Sequence, residues 1–253
     1  MFNKSEFLKP IAHRGLHNET KGLVENSTAA FLAAIHKGYG IECDVRSIQE
    51  GLPVLFHDKT LERLVGTGEL LANLTNADLK KVCYKTGGEK ILTLKEFLDI
   101  VSGRVPILVE IKSEWRLPSI KFLSEIARLC LEYKGPLALM SFDPDIMTVL
   151  RELAVDIPRG IVSGGTHDPE GKIWGEENCD AKRLPSLADL EARHSIDPSF
   201  YAYDVHSLAD NENVRRLRED KGIPIFAWTV RTLEELAISS VYADAPIFEG
   251  FEP

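Results

Sequence analysis

The chain has 253 residues, 44% of them hydrophobic and 27% charged, with a formal net charge of −9 and a pI near 5.4. That length is routine for one α/β barrel, and the acidic balance excludes a broad nucleic-acid or anionic-membrane surface. An acidic protein that handles a phosphate must concentrate positive charge, or a metal, locally.

In chain order, the N-terminal MFNKSEFLKP lacks the apolar core of a signal peptide, and no stretch approaches 18 apolar residues. The expectation is a cytoplasmic protein without membrane insertion. Apolar runs at 10–13, 40–45, 107–111, 137–141, 159–163, 200–204, 224–229 and 240–243 read as eight strands, with Val54–Phe56 as an accessory. Helical patterns lie between most of them and carry start signals. Residues 28–37 follow Asn26-Ser27 and stop before Gly38, and Asp143-Pro144 supplies an N-cap and first helical position for 144–154. Thr93 to Glu96 and Thr232 to Glu235 are capping boxes, and Asp210 opens a helix ending near Gly222. Repeated strand–helix units imply a parallel sheet, and eight of them close into a TIM (β/α)8 barrel. An open doubly wound sheet is the alternative, weakened because no GxGxxG follows a strand.

Two segments break the rhythm. Residues 46–105 are too long for one βα connection and read as a small insertion after the second barrel strand, holding the accessory strand and short helices at about 76–83 and 94–102. Residues 163–183 have no apolar period, and a loop that long in a compact domain is usually functional or disordered. The domain reading is one barrel spanning 1–253. The four cysteines, at 43, 83, 130 and 179, have no CxxC spacing, and Cys43 and Cys130 read as buried thiols.

The chemistry gathers at strand ends. Glu42 and Asp44 stand at i and i+2 on one face of the second strand, with Cys43 on the other. Their Cα atoms are roughly 6.6 Å apart, two strand rises, so they repel unless a cation or protons intervene. Pairing with a local arginine such as Arg46 is the alternative to a metal. Glu110 ends the third strand and brings a third carboxylate to the same end. An all-oxygen set of this kind suits Mg²⁺ or Ca²⁺. Lys112, two residues on, can balance that charge or hold a phosphoryl oxygen. His13-Arg14-Gly15 ends the first strand, where an imidazole faces the mouth, an arginine can grip phosphate and a glycine permits a tight turn. A chance tripeptide opening a loop is the plainer reading. His57 ends the accessory strand and supplies a second imidazole for acid–base work; a surface histidine in a turn is the alternative. Trp228 ends the seventh strand as an apolar wall of the pocket or as a core residue, and Trp174 is a weaker substrate-contact candidate. His17, His36, His167, His194 and His206 carry less weight.

His13-Arg14-Gly15, Glu25-Asn26-Ser27-Thr28, Gly40 to Val45, Gly51 to Asp58, Leu61 to Gly68 and Glu110-Ile111-Lys112 occur in an order and spacing that resembles the glycerophosphodiester phosphodiesterases. Ser141-Phe142-Asp143, Ala227 to Val230 and Ala243 to Pro246 resemble that family's later landmarks. The likeness is dense over 11–112 and weaker beyond. It implies a TIM barrel that hydrolyses glycerophosphodiesters to glycerol 3-phosphate and an alcohol. It further implies Glu42, Asp44 and Glu110 as metal ligands, His13 and His57 as the acid–base pair, and Arg14 and Lys112 on phosphate. Glu25 and Asn26 match the polar turn that closes the site. The chain departs from the family pattern in Ser27, in Gly-Tyr-Gly-Ile before Glu42 and in Ala-Asp-Ala-Pro near its end. The competing functions are a related phosphodiesterase acting on lysophospholipid-type diesters and a non-catalytic barrel binding a phosphorylated metabolite. No motif bears on a partner surface or an oligomeric state.

Overall fold

The strand–helix alternation closes on itself. The computed structural model describes residues 2–165, 190 and 196–253. Its strands are β1 (Ile11–Ala12), β2 (Gly40–Ser47), β3 (Pro53–Leu55), β4 (Ile107–Ile111), β5 (Leu137–Ser141), β6 (Arg159–Ser163), β7 (Phe200–Asp204), β8 (Ile225–Val230) and β9 (Ala245–Phe248). The described α-helices are α1 (Lys4–Phe7), α2 (Thr28–Lys37), α3 (Asn76–Leu79), α4 (Leu94–Val101), α5 (Ile120–Glu132), α6 (Pro144–Leu153), α7 (Glu212–Glu219) and α8 (Leu233–Tyr242). All the strands except β3 pair in parallel, in the order β1-β9-β8-β7-β6-β5-β4-β2, and β1 returns to β2 to close a barrel of eight. β3 lies antiparallel on the outer half of β2, with Arg46 opposite Val54.

The start signals hold because each satisfies a backbone N–H that the first helical turn leaves without a partner. Ser27 accepts from Ala30 N, Thr93 and Thr232 form reciprocal boxes with Glu96 and Glu235, and Asp143 caps α6 ahead of Pro144. The helix expected from Asp210 is capped one residue later by Asn211, whose side chain accepts from Asn213 N and Val214 N.

The eighth barrel strand is not at 240–243. Residues 240–242 complete the last turn of α8, where Ser240 Oγ donates to Leu236 O at 2.8 Å, and the strand is Ala245–Phe248 instead. Pro246 disguises it, because proline brings no N–H to a ladder. The β8–β9 register shifts between Ala227 and Val230, beside Pro246, an irregularity of the kind where a strand tolerates proline.

Strand alternation sorts the side chains into two layers. Ile41, Cys43, Val45, Ile107, Val109 and Ile111 pack outward against the helices. Ile11, Leu108, Met140, Val162, Phe200, Phe226 and Ile247 fill the interior. Phe7 of α1 joins the interior cluster, and Phe2 stacks on both Phe7 and Phe200, with ring centroids 4.6 and 5.2 Å apart. Those rings close the N-terminal end of the barrel, so the interior is open only at the strand C-termini. The segment between β2 and β4 builds a smaller apolar cluster of its own, including Val54, Phe56, Leu61, Leu71 and Tyr84, which lies over that open end. Of the expected 163–183 loop, with His167, Trp174 and Cys179, nearly all lies outside the described residues, as does His194.

Candidate active site at the mouth of the barrel

In a parallel strand buried on both faces the inward positions are ordinarily apolar. Glu42 and Asp44 of β2 and Glu110 of β4 occupy such positions and are almost fully buried, at 1%, 0% and 5% exposed. Asp44 and Glu110 are register partners, and the three carboxylates offer oxygens within 4.8 Å of one another. Lys112 Nζ pairs with Asp44 Oδ1 at 2.8 Å and donates to Glu110 Oε1 at 2.6 Å. Arg14 Nε pairs with Asp44 Oδ2 at 3.1 Å, and Asn26 Nδ2 donates to the same oxygen at 3.0 Å. Arg46 does not neutralise the pair; its guanidinium donates to His57 O and Glu114 Oε1, each at 2.6 Å.

These surroundings drive two neighbouring carboxyls apart. Burial, then the charges of Asp44 and Glu110, push the Glu42 carboxyl well above the usual carboxylate range. Burial would raise Asp44 too, but Lys112, Arg14 and the two site histidines outweigh it and hold Asp44 well below that range. Glu42 Oε2 accepts from Arg14 N at 3.0 Å, while buried Glu42 Oε1 has no hydrogen-bond partner. An orphaned buried oxygen beside two further carboxylates, one of them held ionised, fits a hard divalent cation. The donor set contains no sulfur, and its nearest imidazole nitrogen, His13 Nε2, stands 3.8 Å from Glu42 Oε2.

The turn after β1 is shaped for this role. Arg14 and Gly15 both take positive φ, 55° and 79°, and a Cβ on Gly15 would stand 2.9 Å from the backbone of Ala30. Only glycine fits there, and the reversal brings Arg14 back over the barrel. Arg14 Nη1 donates to Glu25 Oε1 at 2.9 Å. Burial lowers the pKa of His13, and His13 Nδ1 meets Glu249 Oε2 at 2.5 Å. His57 Nδ1 meets Asp58 Oδ1 at 2.8 Å, and Arg63 joins Asp58 to Glu25 through bonds of 2.7 to 3.0 Å.

A cavity of about 350 Å³ opens over these groups, lined on one side by His13, Arg14, Glu42, His57, Glu110 and Lys112. Met140, Phe142, Val162, Ala202, Trp228 and Ile247 make the other wall. Trp228 meets Phe142 edge to face at 5.3 Å and donates to Ser163 O at 3.2 Å. Of the expected site residues, Asp44, Glu25 and Asn26 are not on the cavity wall. Asp44 lies beneath it, and the other two stand behind, gripping Arg14 and Asp44 respectively.

Other contributors lie outside the expected set. Glu249, the residue after β9, holds His13 and also meets His17 Nε2 at 3.3 Å and Arg231 Nε at 2.7 Å. The end of a barrel strand is where such a residue belongs, so correct placement of the eighth strand would have exposed it. Arg63 lies inside the Leu61–Gly68 block, without a spacing that singles it out. Asp204 and His206, at the end of β7, also line the cavity, and burial raises the pKa of Asp204.

A parallel eight-stranded barrel with an acidic, cation-flanked mouth and paired imidazoles defines a TIM-barrel protein built to receive a small phosphorylated molecule. The sequence model of the Glycerophosphoryl diester phosphodiesterase family matches residues 13–243, and the chain belongs to that family of phosphoric diester hydrolases. It is 34% identical over 111 residues to Glycerophosphodiester phosphodiesterase from Caldanaerobacter subterraneus, 41% of this chain and 44% of that one. It is 27% identical, over an alignment of 282 positions, to human Glycerophosphodiester phosphodiesterase 1, covering 97% and 80% of the two chains. The crystal structure of a glycerophosphodiester phosphodiesterase from Thermotoga maritima superposes with a TM-score of 0.69 at 27% identity, over 95% of this chain and 93% of that one. The fold is shared with an Oleispira antarctica phosphodiesterase determined with sn-glycerol-3-phosphate, at a TM-score of 0.73, 20% identity and coverage of 95% and 92%. No helix among the described residues is long and apolar enough to cross a membrane.

Proposed function

We propose that the protein, as one barrel domain spanning residues 1–253, hydrolyses water-soluble glycerophosphodiesters to glycerol 3-phosphate and an alcohol. The observation that carries this reading is the cavity onto which His13, His57, Arg14, Lys112 and the carboxylates of Glu42 and Glu110 all open. A phosphodiester is an anion that repels nucleophiles, so a catalyst must neutralise charge and align the attack. Glu42, Asp44 and Glu110 would hold Mg²⁺ or Ca²⁺, which when bound supplies charge neutralisation at the non-bridging oxygens. Arg14 and Lys112 take the remaining phosphoryl charge. One of His13 and His57 accepts a proton from water or the glycerol 2-hydroxyl, and the other gives one to the leaving alcohol. Glu249 and Asp58 orient the two rings through Nδ1 and leave each Nε2 for that work. Trp228 and Phe142 supply the apolar wall against the organic part of the substrate, and the cytoplasm is the proposed compartment.

The test is release of glycerol 3-phosphate from glycerophosphocholine after EDTA treatment and resupply of Mg²⁺ or Ca²⁺. Activity that vanishes on chelation and returns with one ion supports the proposal and names the cation. Silence here, with metal-dependent cleavage of bis(p-nitrophenyl) phosphate, rejects the substrate and keeps the site; silence on both leaves the phosphometabolite-binding barrel. One observation favours the lysophospholipid alternative. A neighbouring groove of about 600 Å³ shares Lys112 with the mouth and is lined by Leu70 and Leu117, 47% and 55% exposed. Cleavage of lysophosphatidylcholine in preference to glycerophosphocholine is its signature.

A further inference from the structure

His13 uses only one ring nitrogen toward the mouth. Its Nε2 stands 3.8 Å from Glu42 Oε2, and its Nδ1 lies on the far side of the ring with Glu249 and His17. On that side His13 Nδ1 and His17 Nε2 both face Glu249 Oε2, and the three residues offer ligand atoms within 4.8 Å of one another. None of the three is exposed beyond 17% at its side chain. A separate cavity of about 280 Å³, lined by Gly15, His17, Phe248, Glu249 and Gly250, reaches the cluster from outside. Arg231 takes Glu249 Oε1 at 2.7 Å and leaves Oε2 as the atom both histidines face.

We infer that His13, His17 and Glu249 form a second metal site, selective for zinc-type ions, in which a bound ion captures the ring of His13. Two imidazoles and one carboxylate are the donor set of many three-ligand zinc sites, whereas the oxygen-only set of Glu42, Asp44 and Glu110 suits Mg²⁺ or Ca²⁺. Ligand bonds of about 2.0–2.1 Å in tetrahedral array put donor atoms about 3.3 Å apart. His17 Nε2 and Glu249 Oε2 already stand at 3.3 Å. His13 Nδ1, at 2.5 Å, needs to open by about 0.8 Å (3.3 − 2.5) to meet that spacing. The ion replaces the hydrogen that joins Nδ1 to Glu249, so zinc binding releases that proton. The ring is then pinned and its Nε2 no longer exchanges a proton at the mouth. The same histidine thus belongs to two sites of different ligand preference.

The ion-binding half of the inference is independent of the reaction; the inhibition rests on the hydrolysis proposed above. The first experiment is retention of Zn²⁺ by protein kept in excess Mg²⁺, measured by competition with a chromophoric chelator. The expected result is one zinc per chain, held at least 10-fold more weakly in both His17→Ala and His17→Gln. Equal retention in the wild type and both variants overturns the site, as does retention lost instead in Asp44→Asn, which puts the ion on the carboxylates. Absence of retained zinc in the wild type overturns it too. The second experiment is zinc inhibition of glycerophosphocholine hydrolysis at saturating Mg²⁺, each variant normalised to its zinc-free rate. Half-inhibition moves at least 10-fold upward in both His17 variants; an unmoved value overturns the capture of His13.

Discussion

At the residue scale the site is a set of paired opposites. His13 and His57 each have a carboxylate on Nδ1, and Arg14 and Lys112 each have a carboxylate behind them. Removing either imidazole, as His13→Ala or His57→Ala, is expected to lower kcat on glycerophosphocholine by about 10²–10⁴, the usual scale of general acid–base catalysis. Retention of near-normal turnover by either variant would remove that residue from the proposed pair. Glu42 carries a different cost. Its raised pKa means that deprotonation opposes folding as pH climbs above the unfolded value of 4.5. A glutamine keeps the acceptor for Arg14 N and removes the charge. Glu42→Gln is therefore expected to melt a few degrees above the wild type in EDTA, at about 2–4 °C per kcal/mol for a domain of this size. It should also lose the rise in Tm that Mg²⁺ gives the wild type, about 2.7 kcal/mol at 100 times the dissociation constant. A lower melting temperature in EDTA would show that Glu42 is stabilising without metal.

At the element scale, the barrel interior leaves no slack where strands carry glycine. A Cβ on Gly160 of β6 would meet the Phe200 ring at 2.4 to 2.7 Å. Phe200 is fully buried and packs edge to face on Phe226 at 5.4 Å, so the ring has little room to retreat. Gly160→Ala is expected to destabilise by about 1–3 kcal/mol through overpacking, seen as a lower urea midpoint with an unchanged slope. A neutral result would mean that the interior layer shifts freely. The segment between β2 and β4 acts at the same scale. It supplies His57, Asp58 and Arg63 to the mouth from a cluster with its own apolar core.

At the scale of the whole molecule, charge is organised around the mouth. Asp44, Glu25, Asp58 and Glu249 all have pKa values held below their ordinary ones, against burial that would raise them, by neighbouring arginines, histidines or Lys112. A carboxyl depressed on folding contributes stability above its unfolded pKa, between about 3.8 and 4.5 here, and loses it as pH falls. Glu42 and Asp204 act in the opposite sense, two groups against four. Stability by urea unfolding is expected to fall steadily from pH 6 toward pH 3. A flat profile would show that these pairs do not distinguish the folded state from the unfolded one.

Much of this was legible along the chain. Strand periodicity, two capping boxes and the Asp143-Pro144 start mark the barrel because they are local: each depends on neighbours within a turn or on the two-residue alternation of a strand. The carboxylates at 42, 44 and 110 are legible for the same reason, as charges on the inward face of strands that bury both faces. What escaped is what contact across the barrel decides. The eighth strand escapes a reading by apolar runs because Pro246 interrupts it, and the register shift beside that proline is recorded by no local pattern. With it went Glu249, whose bond to His13 spans 236 residues. The grip of Glu25 on Arg14 and of Asn26 on Asp44 is likewise a contact between separate segments that no local pattern records. Residue type and strand position determined which groups reach the mouth. Only closure of the barrel decided contacts such as His13 with Glu249 and Asp44 with Lys112, because these pairs join strands that the sequence keeps far apart.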